Sequence, residues 1–300
     1  MIDATHRENG AGAVGLIGIG NVGHGVGKSL LRKGRRLHFL GHRSAERAGR
    51  MAALGGERAP DAATLAATTG IAILSLPGAE AVEAVVTGAG GLLEGARTGF
   101  VIVDCSTSLP DNSRRMAAAC AVRGVHFLDA AVGRTAKEAE EGRLNLMVGG
   151  DAAVLAAVRP VLETFAENIF HMGPAGAGHA MKLINNYLAL THAVAAAESL
   201  ALARATGMDQ AALFAVINSG GLANRFFASL VEPALAGNPD GIAYSLEQAA
   251  NSIRYFNAFV GDLATTSALG AGAEAFLVAA AAHDPAANLG ALMLRAPTSA

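Results

Sequence analysis

The fold is decided near the N-terminus by Val14–Gly34, which reads VGLIGIGNVGHGVGKSLLRKG. An apolar run is followed by glycines in the spacing GxGxxG and then by a helical pattern. In such a strand–turn–helix the first glycine permits a tight turn, the second lets a pyrophosphate approach the backbone, and the third lets the helix pack on the strand. Free N–H groups at the helix N-terminus would hold the phosphates. The stretch predicts a dinucleotide cradle made of Gly18, Ile19, Gly20, Asn21, Val22 and Gly23.

The end of the same stretch offers an alternative, because Val26–Ser29 reads VGKS like the tail of an NTPase phosphate loop. That motif needs a glycine five residues before Gly27, and the chain has Val22 there. Lys28 would also lie inside the helix. We therefore exclude the NTPase interpretation.

Beyond the cradle, apolar runs of strand length alternate with helix-like segments up to about Gly173. Alternation of this kind predicts a mostly parallel sheet with helices on both faces. The predicted strands are Val14–Ile19, Leu37–Leu40, Ile71–Leu76, Phe100–Asp104, His126–Val132, Leu144–Val148 and Asn168–Met172.

A second domain is predicted after the Gly- and Pro-rich segment Gly173–Gly178. One long helical pattern runs from His179 to about Thr206, and further helical stretches follow it. The expected organisation is a disordered leader at 1–12, an α/β Rossmann domain at 13–175, and an all-α domain at 176–300 that a long helix joins to the first.

Composition narrows the class of protein. The 300 residues are 52% hydrophobic and 16% charged, and a formal net charge of −2 gives no reason to expect nucleic acid or a charged membrane as partner. The start is polar without a signal-peptide core, and no apolar run is long enough to cross a bilayer. Cys105 and Cys120 lack CxxC spacing and His/Cys clustering, so we expect reduced core thiols, no metal site and a cytoplasmic location.

The residues after the second predicted strand bear on the choice of cofactor. NAD enzymes usually place an acid near this point to bind the ribose 2′-OH, and the chain has Gly41 there. His42, Arg43 and Ser44 follow, and arginine and serine can bind a 2′-phosphate. NADP is therefore favoured over NAD, although Arg43 could instead begin a solvated helix.

The long helix opens with GAGHAMKLINNYL, which places Lys182, Asn185 and Asn186 on one face. Taken alone, this pattern is typical of a snorkelling lysine beside solvated amides. A lysine desolvated in a cleft has a lowered pKa, which suits general acid–base catalysis. The dinucleotide site upstream favours that second interpretation.

Together these motifs resemble the β-hydroxyacid dehydrogenase family of the 3-hydroxyisobutyrate dehydrogenase type. The matching segments, in order, are GLIGIGNVGHGV, LSLPG, DCST, LDAAVGRT, GRLNLMVGGD and GAGHAMKLINN. The resemblance implies a Rossmann domain, a long connecting helix and an all-α domain that makes a homodimer or homotetramer.

The resemblance also implies residue roles. Lys182 would exchange a proton with the substrate oxygen, and Asn186 would position the substrate or the lysine. Asn185 and Ser106 would contribute to substrate binding. Leu76, Pro77 and Thr107 would line the cofactor cleft.

Two departures from the family pattern concern the substrate. The usual Ser-Gly-Gly becomes Gly133-Arg134-Thr135, in which the arginine can grip an anion and Thr135 adds a hydroxyl. VGRT is similar to the sulfolactaldehyde reductase branch, although Ala189 stands where that branch has a serine. The usual Lys-Asp of the helical domain becomes Asn251-Ser252.

We therefore expect an NADP(H)-dependent oxidoreductase that interconverts a small anionic semialdehyde, bearing a sulfonate or a carboxylate, and its hydroxy acid. The alternatives are a 3-hydroxyisobutyrate or tartronate-semialdehyde enzyme and a non-catalytic dinucleotide-binding protein. Imine reductases resemble the family but generally lack the lysine, so Lys182 argues against them.

Overall fold

The computed structural model describes residues 12–41 and 44–295, which form two compact units that meet in sequence between Lys182 and Leu183. Residues 1–11 of the predicted leader lie outside the described residues. The first unit holds an eight-stranded sheet of order β3-β2-β1-β4-β5-β6-β7-β8. Its strands are β1 Val14–Ile17, β2 Leu37–Leu40, β3 Glu57–Arg58, β4 Ile71–Leu74, β5 Val101–Asp104, β6 His126–Gly133, β7 Leu144–Gly149 and β8 Ala166–Gly173.

The sheet is parallel except where β6 pairs with β7. Helices connect the strands, which confirms the predicted Rossmann architecture. In chain order they are α1 Asn21–Arg32, α2 Ala45–Ala53, α3 Ala62–Thr68, α4 Ala79–Thr87, α5 Leu92–Gly95, α6 Pro110–Val122, α7 Ala136–Glu141 and α8 Ala152–Leu162.

Each strand of the sheet supplies side chains to two separate cores, because successive residues point to opposite faces. Leu16 and Phe39 belong to one core, and Ile17 and Leu40 to the other. All four are at most 4% exposed. Burial on both faces explains why the strands are continuous apolar runs rather than alternating ones.

Two predicted strands end earlier than their apolar runs. β1 stops at Ile17 rather than Ile19, because Gly18 turns the backbone with φ +92°. β4 stops at Leu74 rather than Leu76, whose N–H donates to the side chain of Ser106 instead of a neighbouring strand. The two-residue edge strand β3 was not predicted, since both of its side chains are polar and exposed.

The second unit is all-helical, as predicted. Helix α9 (Ala177–Ala205) leads into it, and α10 Gln210–Ser219, α11 Arg225–Leu235, α12 Leu246–Asp262, α13 Ala268–His283 and the 3₁₀ helix Leu289–Leu294 follow. Arg204 holds the C-terminal segment by donating to the carbonyl oxygen of Met293 at 2.8 Å. Across residues 12–41 and 44–295, no helix has both the length and the apolar character that crossing a membrane requires.

Candidate active site

The turn between β1 and α1 has the geometry of a phosphate cradle. A Cβ at Gly18 would lie 2.2 Å from the carbonyl oxygen of Ser75, and one at Gly23 would lie 2.0 Å from the carbonyl oxygen of Gly18. Both glycines are therefore required by the fold. Gly20 instead has no heavy atom within 4 Å of its Cβ position, which leaves open space where a ligand can approach the backbone.

The N-terminus of α1 is available to an anion. Gly20 provides no side-chain cap, and the first turn contains no acidic residue. The N–H groups of Asn21, Val22 and Gly23 lack helical partners by geometry, and the helix dipole adds a partial positive charge. This donor set fits a dinucleotide pyrophosphate.

The end of β2 carries no acid in the described residues. A Cβ at Gly41 would lie 2.5 Å from Ile19, so the buried isoleucine occupies the place of a side chain there. His42 and Arg43, which were predicted to bind the cofactor, lie outside the described residues. Ser44 is present as the N-cap of α2, where its hydroxyl accepts the N–H of Arg47 at 3.2 Å.

Arg47 is a candidate cofactor residue that the sequence interpretation missed. Its guanidinium donates to the side-chain oxygen of Asn21 at 2.8 Å, which places a cation beside the cradle. The sequence feature that could have identified Arg47 is its position in the first turn of a helix, where the helix dipole disfavours a cation. A cation there is compatible with an anionic ligand at the cradle.

Helix α7 packs closely on α1, and Gly25 makes this approach possible. A Cβ at Gly25 would lie 2.7 Å from the Cβ of Ala139. The Lys28 ammonium pairs with Glu140 at 2.7 Å, and the Ser29 hydroxyl donates to the carbonyl oxygen of Ala139 at 3.1 Å. Because α7 follows Gly133-Arg134-Thr135 directly, these contacts attach that segment to the cradle helix.

Ser106 lies where the loops after β4 and β5 meet. Its hydroxyl oxygen accepts the N–H of Leu76 at 2.9 Å, and its own N–H donates to Asp104 at 3.0 Å. The exposed Pro77 follows Leu76, and the half-buried Thr107 follows Ser106. The hydroxyl hydrogen of Ser106 donates to no residue within the described part of the chain.

Asp104 lies beneath this loop at the end of β5 and is fully buried. Burial raises the pKa of its carboxyl, and its Oδ2 has no hydrogen-bond partner within the described part of the chain. On the neighbouring strand Asp129 is its register partner. Burial therefore favours the neutral form of Asp104, and the neighbouring Asp129 carboxyl adds a smaller contribution in the same direction.

Asp129 caps helix α9. Its two carboxylate oxygens accept the N–H groups of Gly176 at 2.7 Å and His179 at 2.9 Å. A Cβ at Gly178 would lie 2.3 Å from the carbonyl oxygen of Met147 and 2.6 Å from that of Asp129. The motif GAG is therefore needed for the helix to approach β6 and β7.

His179 is fully buried in the first turn of α9 and joins two other elements to it. Its Nε2 lies 3.0 Å from the carbonyl oxygen of Ser106, and its Nδ1 lies 2.6 Å from the hydroxyl of Ser113 on α6. Lys182 follows three residues later. The histidine thus connects the Ser106 loop with the helix of the candidate catalytic lysine.

Lys182 is half-buried and makes no hydrogen bond or ion pair with any residue in the described ranges. Burial lowers the pKa of its ammonium group. A lysine of this kind can both donate and accept a proton. One turn further on, Asn186 is half-buried, and Asn185 beside it is exposed.

The Gly133-Arg134-Thr135 segment adopts a turn at the end of β6. Arg134 has φ +74°, and its Nη1 donates to Glu167 and to the carbonyl oxygen of Arg143, each at 2.5 Å. The Thr135 hydroxyl takes part in the capping box of α7. Both predicted anion-binding side chains are therefore engaged by the chain itself, Arg134 with Glu167 on β8 and the Arg143 carbonyl oxygen, and Thr135 with the first turn of α7.

In the helical unit, the segment that replaces the usual Lys-Asp pair carries no cation of its own. The Ser252 hydroxyl lies 2.6 Å from the hydroxyl of Tyr244, and Asn251 accepts from Arg254 at 3.3 Å. Burial raises the pKa of Tyr244. The paired hydroxyl groups of Tyr244 and Ser252, both neutral, thus lie where the family pattern has a lysine and an aspartate.

The sheet topology places the predicted residues of the first unit along one edge. Gly18, Leu76, Ser106 and Gly133 stand at the carboxyl ends of β1, β4, β5 and β6, which are neighbours in the parallel part of the sheet. Ligands of open α/β sheets bind at this edge, where the strand order reverses. In the chain the reversal falls between β1 and β4.

Two family models cover almost the whole described chain. The NAD binding domain of 6-phosphogluconate dehydrogenase matches residues 13–173, and the NAD-binding domain of NADP-dependent 3-hydroxyisobutyrate dehydrogenase matches residues 176–293. The chain belongs to the 3-hydroxyisobutyrate dehydrogenase family. This confirms the family expected from the motifs, and it makes the cofactor a nicotinamide dinucleotide.

Relatives within the family act on several hydroxy acids. The 2-(hydroxymethyl)glutarate dehydrogenase of Eubacterium barkeri is 35% identical over 65% of this chain and 64% of its own length, so the alignment spans less than two thirds of that relative. The 3-hydroxyisobutyrate dehydrogenase of Pseudomonas aeruginosa is 35% identical over 69% of this chain and 70% of its own. The 3-sulfolactaldehyde reductase of Escherichia coli is 30% identical over 65% of each.

A solved structure of Mycobacterium tuberculosis 3-hydroxyisobutyrate dehydrogenase with L-serine supports the same family assignment. It has a TM-score of 0.88 and 28% identity, and the match covers 95% of this chain and all of that one. The combination of an NAD(P)-binding Rossmann domain with a helical domain of the 6-phosphogluconate dehydrogenase type is thereby confirmed.

Proposed function

We propose that this chain interconverts a small anionic semialdehyde and its hydroxy acid with NADP(H), and that Lys182 is the general acid and base. The proposal rests on the environment of the Lys182 ammonium group. It is half-buried without a partner in the described chain, and burial lowers the pKa of its ammonium group. It also lies on the helix that Asp129 and His179 attach to the sheet beside Ser106.

The bound dinucleotide supplies or accepts the hydride. In reduction the ammonium group of Lys182 donates a proton to the forming alkoxide, and its positive charge stabilises that oxygen. In oxidation the neutral amine takes the proton of the substrate hydroxyl. Ser106 donates its free hydroxyl hydrogen to the substrate, and Asn186 orients the substrate from the next turn of the helix.

The residues expected near the adenosine ribose favour NADP as the cofactor. Gly41 offers no carboxylate to repel a 2′-phosphate, and Arg47 lies beside the cradle through its bond to Asn21. Arg43 and Ser44 add a cation and a hydroxyl in the sequence. The ratio of kcat/KM for NADPH to that for NADH tests this choice, and Arg47→Ala should reduce it by about tenfold. A ratio below one in the native chain would reject NADP as the preferred cofactor.

The substrate class follows from Arg134 and from the relatives. A guanidinium at the end of β6 can bind a sulfonate or carboxylate in place of the family serine. The relatives that act on 3-sulfolactaldehyde and 3-hydroxyisobutyrate both take a short anionic substrate by name. The pairing with Glu167 means that a substrate anion would compete with an existing carboxylate for Arg134.

A panel assay tests the enzymatic proposal. NADPH oxidation is measured with sulfolactaldehyde, methylmalonate semialdehyde and tartronate semialdehyde, and NADP⁺ or NAD⁺ reduction with L-serine and 3-hydroxyisobutyrate. Lys182→Ala should lower kcat by about a hundredfold or more while cofactor affinity stays within twofold. The exposed Lys137→Ala is the matched control and should leave kcat unchanged. An unchanged kcat in Lys182→Ala would remove the lysine from the mechanism.

A second candidate is a non-catalytic dinucleotide-binding protein. It is favoured by the loss of the family serine at Gly133 and of the Lys-Asp pair at Asn251-Ser252. Tight NADPH binding without turnover of any substrate in the panel would support it. Turnover of a 3-hydroxyisobutyrate-type substrate in preference to sulfolactaldehyde would instead select the ordinary dehydrogenase.

The helical unit exposes apolar side chains that suit self-association. Leu202, Val216 and Leu222 are 64%, 72% and 75% exposed. Isolated exposed leucines are common on monomers, so the homodimer or homotetramer is proposed from the family resemblance, with these side chains as candidate contacts. Light scattering of the purified chain gives the mass directly, and a monomer at micromolar concentration would contradict this assembly.

A further inference from the structure

The turn after β4 that would meet the nicotinamide is held in place through Ser106. Leu76 donates its N–H to the Ser106 hydroxyl at 2.9 Å. Ser106 is itself held at two backbone atoms, because its N–H donates to Asp104 at 3.0 Å and its carbonyl oxygen lies 3.0 Å from Nε2 of His179. The position of Leu76 therefore depends on the position of Ser106, and that position depends on His179.

The protonation of the His179 ring follows from its partners. A carbonyl oxygen can only accept, so the hydrogen bond with Ser106 requires a proton on Nε2. In the neutral ring Nδ1 then accepts the hydroxyl hydrogen of Ser113 at 2.6 Å. One ring thus bonds two separate elements, the loop after β5 and helix α6, while its own backbone N–H is bound by Asp129 on β6.

Because the bonded groups are buried, each hydrogen bond of His179 is needed to satisfy its partner. His179 and Ser113 are 0% exposed and Ser106 is 4% exposed, so water cannot replace a lost partner without rearrangement. An unsatisfied polar atom at such a depth is costly, and the surrounding loop would move to find a substitute. Lys182 lies three residues beyond His179 in the same helix, within one turn.

We propose that His179 is a positioning residue, whose Nε2–H holds the Ser106 loop, and through it the Leu76 turn, at the distance from Lys182 that hydride and proton transfer require. The inference rests on the proposed function for the identity of the reaction. The ring of His179 is fully buried, and its two nitrogens bond Ser106 and Ser113. It acts through Ser106 and through the helix it shares with Lys182.

Two near-isosteric substitutions separate the two ring nitrogens. In His179→Gln the amide nitrogen can take the place of Nε2 and donate to Ser106, whereas in His179→Asn the shorter amide reaches the Nδ1 position near Ser113 and leaves Ser106 without its donor. Ser113→Ala removes the Nδ1 partner, together with the longer 3.5 Å contact of the Ser113 hydroxyl with the carbonyl oxygen of Leu109. If the ring merely packs and fills space, His179→Gln and His179→Asn should lower kcat to a similar extent.

The expected result is a split between these variants. The His179→Asn variant should have a kcat about 10- to 100-fold lower than the native protein, because small misplacements of reacting groups cost about that much. Glutamine and Ser113→Ala should stay within about fivefold of the native kcat. Equal losses in the glutamine and asparagine variants, at equal thermal stability, would overturn the proposal.

A binding measurement keeps the test independent of turnover. The fluorescence of NADPH reports binding of the whole cofactor, and 2′,5′-ADP competes only for the adenosine half of the site. His179→Asn should weaken NADPH several-fold and leave 2′,5′-ADP unchanged, since only the Leu76 side is disturbed. A parallel loss of both affinities would overturn the proposal. If the native chain binds NADPH but turns over no substrate, the proposed function fails and this measurement still decides the role of His179.

Discussion

The carboxylate of Asp129 accepts the backbone N–H of His179 at 2.9 Å, so a strand residue caps a helix that begins far along the chain. Its other oxygen accepts the N–H of Gly176, 47 residues away in sequence. The two acceptor oxygens lie at the N-terminus of the 29-residue helix α9, where the helix dipole favours acceptor atoms. This contact holds the first turn of α9, which precedes Lys182, against the strand β6.

Asp129→Asn should therefore destabilise the protein markedly. The amide retains one acceptor oxygen and presents an NH₂ group to the second N–H, which leaves a buried donor unsatisfied. The free energy of unfolding should fall by about 2–4 kcal/mol. Urea denaturation followed by circular dichroism measures the change. The control is Asp151→Asn, because Asp151 caps α8 from an exposed position and should cost about 1 kcal/mol or less.

Gly178→Ala tests the close approach of α9 to the sheet. The added Cβ would meet backbone oxygens of Met147 and Asp129, which cannot move as a side chain can. We expect a loss of about 3 kcal/mol or more, or no folded protein. Gly272→Ala in α13 is the matched control, with no atom within 4 Å, and should stabilise by about 0.5–1 kcal/mol. A tolerated alanine at 178 would contradict the packing described for the GAG motif.

The lowered pKa of Lys182 predicts a pH-dependent stability. Below that folded-state pKa the lysine is charged in both states, and the folded state bears the full desolvation penalty. As pH rises through the window between that pKa and the ordinary value of 10.5, the folded state releases its proton first and the penalty disappears. Lys182→Met should thus be stabilising at neutral pH, by an amount that declines as pH rises.

Unfolding free energies of Lys182→Met and the native chain across pH 6 to about 10 provide the measurement. The exposed Lys137→Met serves as the control and should show a difference that does not change with pH. A constant difference for Lys182→Met as well would mean that burial does not perturb this lysine.

Gly133→Ser would introduce the hydroxyl that the Ser-Gly-Gly pattern expected for the family has at this position. The added Cβ would lie 3.4 Å from the Cβ of Asn145, which is an ordinary contact, so the fold should tolerate it. If the segment binds the substrate anion, KM for anionic substrates should fall by about tenfold relative to neutral ones, as one charge-assisted hydrogen bond is gained. Unchanged KM ratios with an intact fold would place the substrate away from Gly133.

Glu167→Gln tests whether the Glu167 carboxylate competes with the substrate for Arg134. Removing its charge should lower KM for anionic substrates about two- to fivefold, since a partly exposed ion pair contributes up to about 1 kcal/mol.

Arg134→Ala should raise KM for anionic substrates strongly and for neutral ones little. Equal effects on both kinds of substrate would show that the Arg134–Glu167 pair only holds β8 to the segment.

Much of this protein could be predicted from local patterns in its sequence. The GxGxxG turn, the continuous apolar strands and the helical pattern from His179 are local features, and each depends on backbone conformation or on periodicity within a short stretch. The structure bears out the Rossmann unit and the helical unit on those grounds. The place of Lys182 in the motif GAGHAMKLINN was likewise a matter of spacing along one helix.

Tertiary structure decided what those residues contact. Only the folded chain shows that Asp129 caps α9, that His179 joins Ser106 to Ser113, and that Arg47 lies beside Asn21. The same holds for Arg134, whose sequence context indicated an anion site and whose guanidinium bonds Glu167. These contacts join residues that are 26 to 73 positions apart, and no local periodicity encodes them. They arise because buried donors and acceptors must find partners, and the packing of the whole sheet determines which partners are within reach.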